Sequence, residues 1–196
     1  MQLTVQGKQI DVGEALREHV SDKLEDINSK YFNRAIDATV SFSKEGHGHG
    51  LFKSQISIRV GKNIMVIADA VAGDPYAAFD ACSEKISKQL RRYKRKLRDH
   101  HEKQESIEVR MMKAHDYTLA AGPEEENDDD GVPHGEDPAI IAEMTTNIET
   151  LSVPDAVMRM DLADQNALLF RNAKHNRLNL VYRRNDGNIG WLDPEE

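Results

Sequence analysis

The densest cluster of like side chains in this sequence is Lys85, Lys88, Arg91, Arg92, Lys94, Arg95, Lys96 and Arg98. Side chains of this kind bind phosphate. Each neutralised phosphate releases condensed counterions, so binding weakens with salt, with a log–log slope of about −0.7 to −0.9 per contact. Glu84 and Asp99, at either end of that span, are the only acids beside it, so the charge is not cancelled locally. Other residue types that could do chemistry are less well placed. His47-Gly48-His49 offers two imidazoles, but Glu45 is the only carboxylate near them, so a glycine-rich loop is expected and not a metal site. His100-His101 reads as the polar end of a helix. Cys82 is the single cysteine, which excludes an internal disulfide and a multi-cysteine zinc site, and it falls on an apolar stripe where a thiol is inert. The acids are densest at Glu124-Glu125-Glu126 and Asp128-Asp129-Asp130, in a stretch too polar to hold a catalytic geometry. Gly46, Gly48 and Gly50 lack the strand-to-helix setting of a phosphate loop. No enzyme, metal, cofactor or small-molecule substrate is expected.

The elements that position the cations follow from periodicity. Residues 2–6 alternate and read as a strand. Leu16, Val20, Leu24, Ile27 and Tyr31 recur at helical spacing, with Glu14, Glu18, Asp22 and Glu25 on the far side. Arg17, Lys23 and Lys30 flank that helix. Strands are expected at 36–44, 51–60 and 63–71, with a turn at Gly61-Lys62-Asn63. Asp74 and Pro75 then open a helix to about residue 103, as cap and first helical residue. Phe79, Cys82, Ile86, Leu90, Tyr93 and Leu97 form its apolar stripe, and the cations lie outside it. The order β-α-β-β-β-α predicts an α+β domain with both helices on one face of an antiparallel sheet.

Net charge divides the 196 residues. Residues 1–103 carry 18 basic and 14 acidic side chains, while 104–196 carry 8 and 20. The overall −8 therefore hides a cationic first part. Residues 104–138 hold 11 acids and are punctuated by glycine and proline, as expected of a flexible, self-repelling linker; 107–119 is ambiguous. Residues 139–196 read as a small, mostly-β domain, with a helix opened by Val153-Pro154-Asp155, strands at 167–171, 178–184 and 188–192, and a turn at Asp186-Gly187. About sixty residues bury only ~60% of their unfolded surface. The strands are apolar on both faces, and one short helix cannot cover both. Leu168, Phe170, Leu180 and Tyr182 are therefore expected to meet a second copy of the chain. No apolar run is long enough to cross a membrane, and the N-terminus has no secretory signal, so a cytoplasmic protein is expected.

Several motifs resemble one family. Glu14-Ala15-Leu16-Arg17-Glu18-His19-Val20 looks like the first-helix signature of the ribosome hibernation promoting factors, also called ribosome-associated inhibitors or sigma-54 modulation proteins. Asp74-Pro75-Tyr76-Ala77-Ala78-Phe79-Asp80 and Lys85-Ile86 through Gln89-Leu90-Arg91-Arg92-Tyr93-Lys94 look like the second-helix signature. Phe170-Arg171-Asn172 and Val181-Tyr182-Arg183-Arg184, with Asp186-Gly187-Asn188-Ile189-Gly190, are similar to the tail of the long form. Ala167-Leu168-Leu169-Phe170 departs from the pattern, since many long forms have two adjacent aromatics there. The resemblance implies a non-enzymatic stress-response factor on the small ribosomal subunit. Its N-terminal domain would contact rRNA near the decoding region through the second-helix cations, with Arg17, Lys23 and Lys30 as weaker contacts. It would block mRNA and tRNA, while the tail forms a homodimer that pairs inactive ribosomes. The alternative is a double-stranded-RNA-binding module acting off the ribosome; few aromatics are available on the sheet for stacking single-stranded bases.

Overall fold

The computed structural model describes residues 1–31, 35–45, 50–60, 64–104, 111–120 and 139–195, with side chains of the second helix described as far as Lys96. The turn at 61–63, the pair His47 and His49, the acidic run 124–130 and the side chains of Leu97, Arg98, His100 and His101 lie outside this described set.

The N-terminal domain runs β1 (Gln2–Lys8), α1 (Glu14–Tyr31), β2 (Ala35–Glu45), β3 (Leu51–Val60), β4 (Ile64–Ala72) and α2 (Pro75–Gln104). The sheet order is β1-β2-β3-β4. It is mixed, which corrects the antiparallel expectation: β1 pairs parallel with β2, Gln2 opposite Asp37 and Lys8 opposite Ser43. The reason is that α1 is a crossover that returns the chain in the same direction, whereas the short β2–β3 and β3–β4 connections force antiparallel pairing. Asp74 caps α2 as expected, its Oδ1 accepting from the Ala77 amide at 2.9 Å.

Alternation buries Ala38, Val40 and Phe42 of β2 and Ile56 and Ile58 of β3 against Leu24 of α1 and Phe79 and Ile86 of α2. Cys82 belongs to this core; its thiol donates to the Ala68 carbonyl at 3.1 Å and burial pushes its pKa up to about 12. The unfolded chain loses that proton near 9.0, so its contribution to stability is present below that pH and is lost as pH rises toward about 12. Denaturation midpoints should therefore fall between about pH 8 and about pH 10.5 more in the parent than in Cys82→Ala. Equal falls would dismiss the thiol as the cause.

The rest of the chain forms β5 (Met112–Leu119), β6 (Ile140–Ile148), β7 (Thr150–Leu151), α3 (Val153–Leu162), β8 (Ala167–Asn172), β9 (Leu178–Arg183) and β10 (Ile189–Leu192). Here β5 lies inside the span expected to be linker. It pairs antiparallel with β6, Met112 opposite Ile148. Its signal was weak because both strands of the ribbon are largely exposed, so neither shows a buried face. The second sheet has the order β10-β9-β8-β7 and is covered on one face by α3. Ser152 caps α3 through its hydroxyl, with Pro154 in the first turn.

At ~100° per residue, Ala156 and Met160 of α3 face one way and Met158 and Leu162 the other. The first pair joins Phe170 and Val181 in the core of the second sheet. The second pair is fully enclosed in the N-terminal core cluster. So α3 is shared between the two halves of the molecule.

Candidate nucleic-acid interface

The stripe of α2 buries Phe79, Cys82, Ile86, Leu90 and Tyr93, which leaves every candidate cation through Lys96 on the exposed part of the helix. They do not form one equivalent face. Toward β4, Lys85 Nζ donates to the Asp69 carbonyl at 2.6 Å. Toward α1, Lys94 Nζ lies 3.4 Å from the Lys30 carbonyl and 5.7 Å from the centre of the Tyr31 ring. Toward α3, Arg92 Nη1 pairs with Asp161 Oδ2 at 3.2 Å, and Lys96 Nζ donates to the Pro154 carbonyl at 3.1 Å. Between these flanks, Lys88, Arg91 and Arg95 point to solvent. Lys88 and Arg91 make no hydrogen bond or ion pair to another described residue.

The three candidates on α1 differ in the same way. Arg17 is held by its own fold: its Nε donates to Val12 O at 3.2 Å and its Nη1 to Val5 O at 2.9 Å, tying the middle of β1 to the helix. Lys23 lies 3.8 Å from Asp80, which also bonds His19 at 3.0 Å. Lys30 stays exposed, its ammonium 5.5 Å from the centre of its neighbour's ring at Tyr31. With Glu14, Glu18, Asp22 and Glu25 exposed on α1, the domain presents a cationic helix beside an acidic one. A phosphate backbone would meet the first and be repelled by the second.

Two groups near this surface were missed from sequence. Asp161 sits at the end of α3 with its side chain only 9% exposed. It takes Arg92, the Tyr93 hydroxyl and, at 3.3 Å, Arg183. Burial, then this bond to Asp161, pushes the Tyr93 pKa up to about 12. Gln89 donates from Nε2 to the Asp161 carbonyl at 3.2 Å. The available signal was the second apolar pair of α3, Met158 and Leu162, which one small sheet cannot cover as well as Ala156 and Met160.

The four tail residues proposed from sequence fall on opposite faces of the second sheet. Phe170 is fully buried under α3 and is not open to a partner, and half-buried Leu168 packs beside it against the chain's own core. This corrects their assignment. The phase went wrong because β8 and β9 are apolar on both sides, while the inward polar pair Asn172 and Asn179 is bonded to itself at 2.7 Å. Leu180 and Tyr182 do lie on the open face, opposite Leu169 and Ala167 in the register. Leu169, Leu178 and Leu192 share that face and are exposed. Gly187 makes the turn between β9 and β10 with φ of 81°, and Gly190 gives room to the Tyr182 ring. A Cβ at Gly190 would stand 2.3 Å from Tyr182 Cζ. Gly190→Ala should therefore lift the ring and cost about 1–3 kcal/mol, read by thermal unfolding; an unchanged melt would mean that the ring moves freely.

Among the described residues no group of three His, Cys, Asp or Glu could hold a metal, and no helix is long and apolar enough to cross a membrane.

Comparison with known proteins covers both halves. The family described as Sigma 54 modulation protein / S30EA ribosomal protein matches residues 3–98. The family described as Sigma 54 modulation/S30EA ribosomal protein C terminus matches residues 135–190. A ribosome hibernation promotion factor of Rhizobium meliloti is 38% identical, covering 98% of this chain and 97% of its own. One from Bradyrhizobium diazoefficiens is 40% identical over 99% and 95%. One from Bacillus subtilis is 27% identical over the whole of both chains. With a cation-bearing helix in one half, a small α3-covered sheet in the other, and relatives matched from end to end, the chain belongs to the Sigma 54 modulation protein / S30EA ribosomal protein family, in its long, two-part form.

Proposed function

We propose that this protein is a ribosome hibernation factor that binds the small ribosomal subunit near the decoding region. There it obstructs mRNA and tRNA and so inhibits translation, and its C-terminal half joins two copies into a homodimer that pairs inactive ribosomes. It acts by binding and not by catalysis. Its place of action is the cytoplasm, where ribosomes work.

The observation that carries the reading is the outward row on α2: Lys88 and Arg91 have no internal partner among the described residues, beside an exposed Arg95. A fold that leaves cations unpaired pays no internal cost for giving them to phosphates, and rRNA supplies phosphates at high density. The tail supports the second half of the reading. Leu169, Leu178 and Leu192 leave an apolar face with no cover among the described residues, and a twofold copy is the simplest complement to such a face.

The test is sedimentation of the full chain with purified ribosomal subunits and with whole ribosomes. The protein is expected with the small subunit and in a peak of paired ribosomes. Protein remaining with light RNA, or with the large subunit alone, would overturn the reading.

A further inference from the structure

The contact between the two halves uses the same helix that the proposed function assigns to RNA. Gln89, Arg92, Tyr93 and Lys96 are spaced by three, one and three residues, which places them along one flank of α2. Each of them bonds α3 or its first turn. Gln89 Nε2 donates to the Asp161 carbonyl, Arg92 pairs with the Asp161 carboxylate, the Tyr93 hydroxyl donates to that carboxylate, and Lys96 donates to the Pro154 carbonyl. Beneath these polar contacts, Met158 and Leu162 are fully enclosed in the N-terminal core. The contact therefore has an apolar centre with a charged rim, the anatomy of a specific interface. Its Asp161 carboxylate, 9% exposed, faces Arg92 from α2 and Arg183 from β9.

We propose that this is a self-inhibiting contact: α3 of the chain's own C-terminal half and RNA phosphates compete for Arg92 and Lys96. The inference rests on the RNA-binding reading above. In the closed form Asp161 and the Pro154 carbonyl hold these two cations, while Lys88 and Arg91 stay available to make the first encounter. Engagement of phosphates by the full row frees α3 from this flank of α2. Free protein is thereby held in a state of lower RNA affinity, while the open face of the tail sheet stays exposed in both forms.

Two substitutions with opposite changes of charge test this in the full-length protein. Gln89→Glu puts a carboxylate against the Asp161 carbonyl, where Gln89 Oε1 is already enclosed without a hydrogen-bond partner among the described residues. Asp161→Lys sets a cation against Arg92 and Arg183. Net charge alone predicts weaker RNA binding for the first and tighter binding for the second. Competition predicts that both bind purified small ribosomal subunits more tightly, by about tenfold, within the usual range of coupling between linked equilibria. Opening is read separately, without ribosomes, from the methyl resonance of Met158, which is enclosed only when α3 is docked. Weaker binding by Gln89→Glu, or a Met158 methyl already exposed in the parent protein, would overturn the inference. Equal binding by all three proteins with Met158 released in the variants would overturn the competition and leave the RNA reading standing. No binding by any of them would remove the RNA reading itself, and the inference with it. Should Asp161→Lys fail to fold, Gln89→Glu alone decides, because its predicted sign is the reverse of simple electrostatics.

Discussion

Exchanging Lys88 and Arg91 together for glutamate is expected to release the protein from ribosomes and to leave its folding stability within about 0.5 kcal/mol of the parent. Both side chains are exposed on α2 and have no partner among the described residues, so the fold loses nothing when they go. The complex loses two charge-assisted contacts worth about 1.5 kcal/mol each or more, which is at least roughly a hundredfold in affinity. The dependence of log affinity on log salt should also flatten by about 1 per lost phosphate contact. This second readout separates a lost contact from a misfolded domain. The informative comparison is Arg17→Ala. Its guanidinium holds the Val5 and Val12 carbonyls, so it should lower the melting temperature more than it lowers ribosome binding. Co-sedimentation undiminished in the Lys88/Arg91 double variant would show that α2 is not the contact surface.

Much of the N-terminal half was legible because it obeys short periods. The helix stripes, the capping by Asp74 and the alternation of β2 and β3 are local, and all are found within a residue or two of where periodicity puts them. The parallel pairing of β1 with β2 was not local: it depends on which sheet edge receives the chain after α1. The eight cations were legible as a group but not as individuals. Sequence places them outside the stripe; only packing shows that Lys85, Lys94, Arg92 and Lys96 each reach a neighbouring element while Lys88 and Arg91 do not. The docking of α3 was hidden for a further reason. Met158 and Leu162 form one helical pair and Ala156 and Met160 another. With so few residues in the helix, two faces cannot be told from one broad face without knowing what lies on each side.

The second large effect separates the two faces of the tail sheet. Phe170→Ala should cost about 3–5 kcal/mol, because it deletes a fully enclosed ring among Leu151, Ala156, Met160 and Val181. A small sheet covered by one short helix has little stability in reserve, so this change is expected to melt the C-terminal half and expose its apolar side chains. It should abolish ribosome pairing for that reason alone. Leu169→Asp should also abolish pairing, but with the melt nearly unchanged. Leu169 lies on the opposite face, already 44% exposed in the single chain, and its register partner Leu180 stands on the same side. A carboxylate there costs little in a single chain, where water still reaches it, but burial against a second copy would strand it without a partner. Sedimentation velocity of the free protein should show a dimer for the parent and a monomer for Leu169→Asp, while single ribosomes remain inhibited by both. Phe170→Ala fails the melt before it can report on pairing. A dimer that survives Leu169→Asp would mean that the open face of β8 and β9 is not where the copies meet. The exposed β5–β6 ribbon, with Ile140 at 61% and Ile141 at 66% exposure, would then be the surface that joins them.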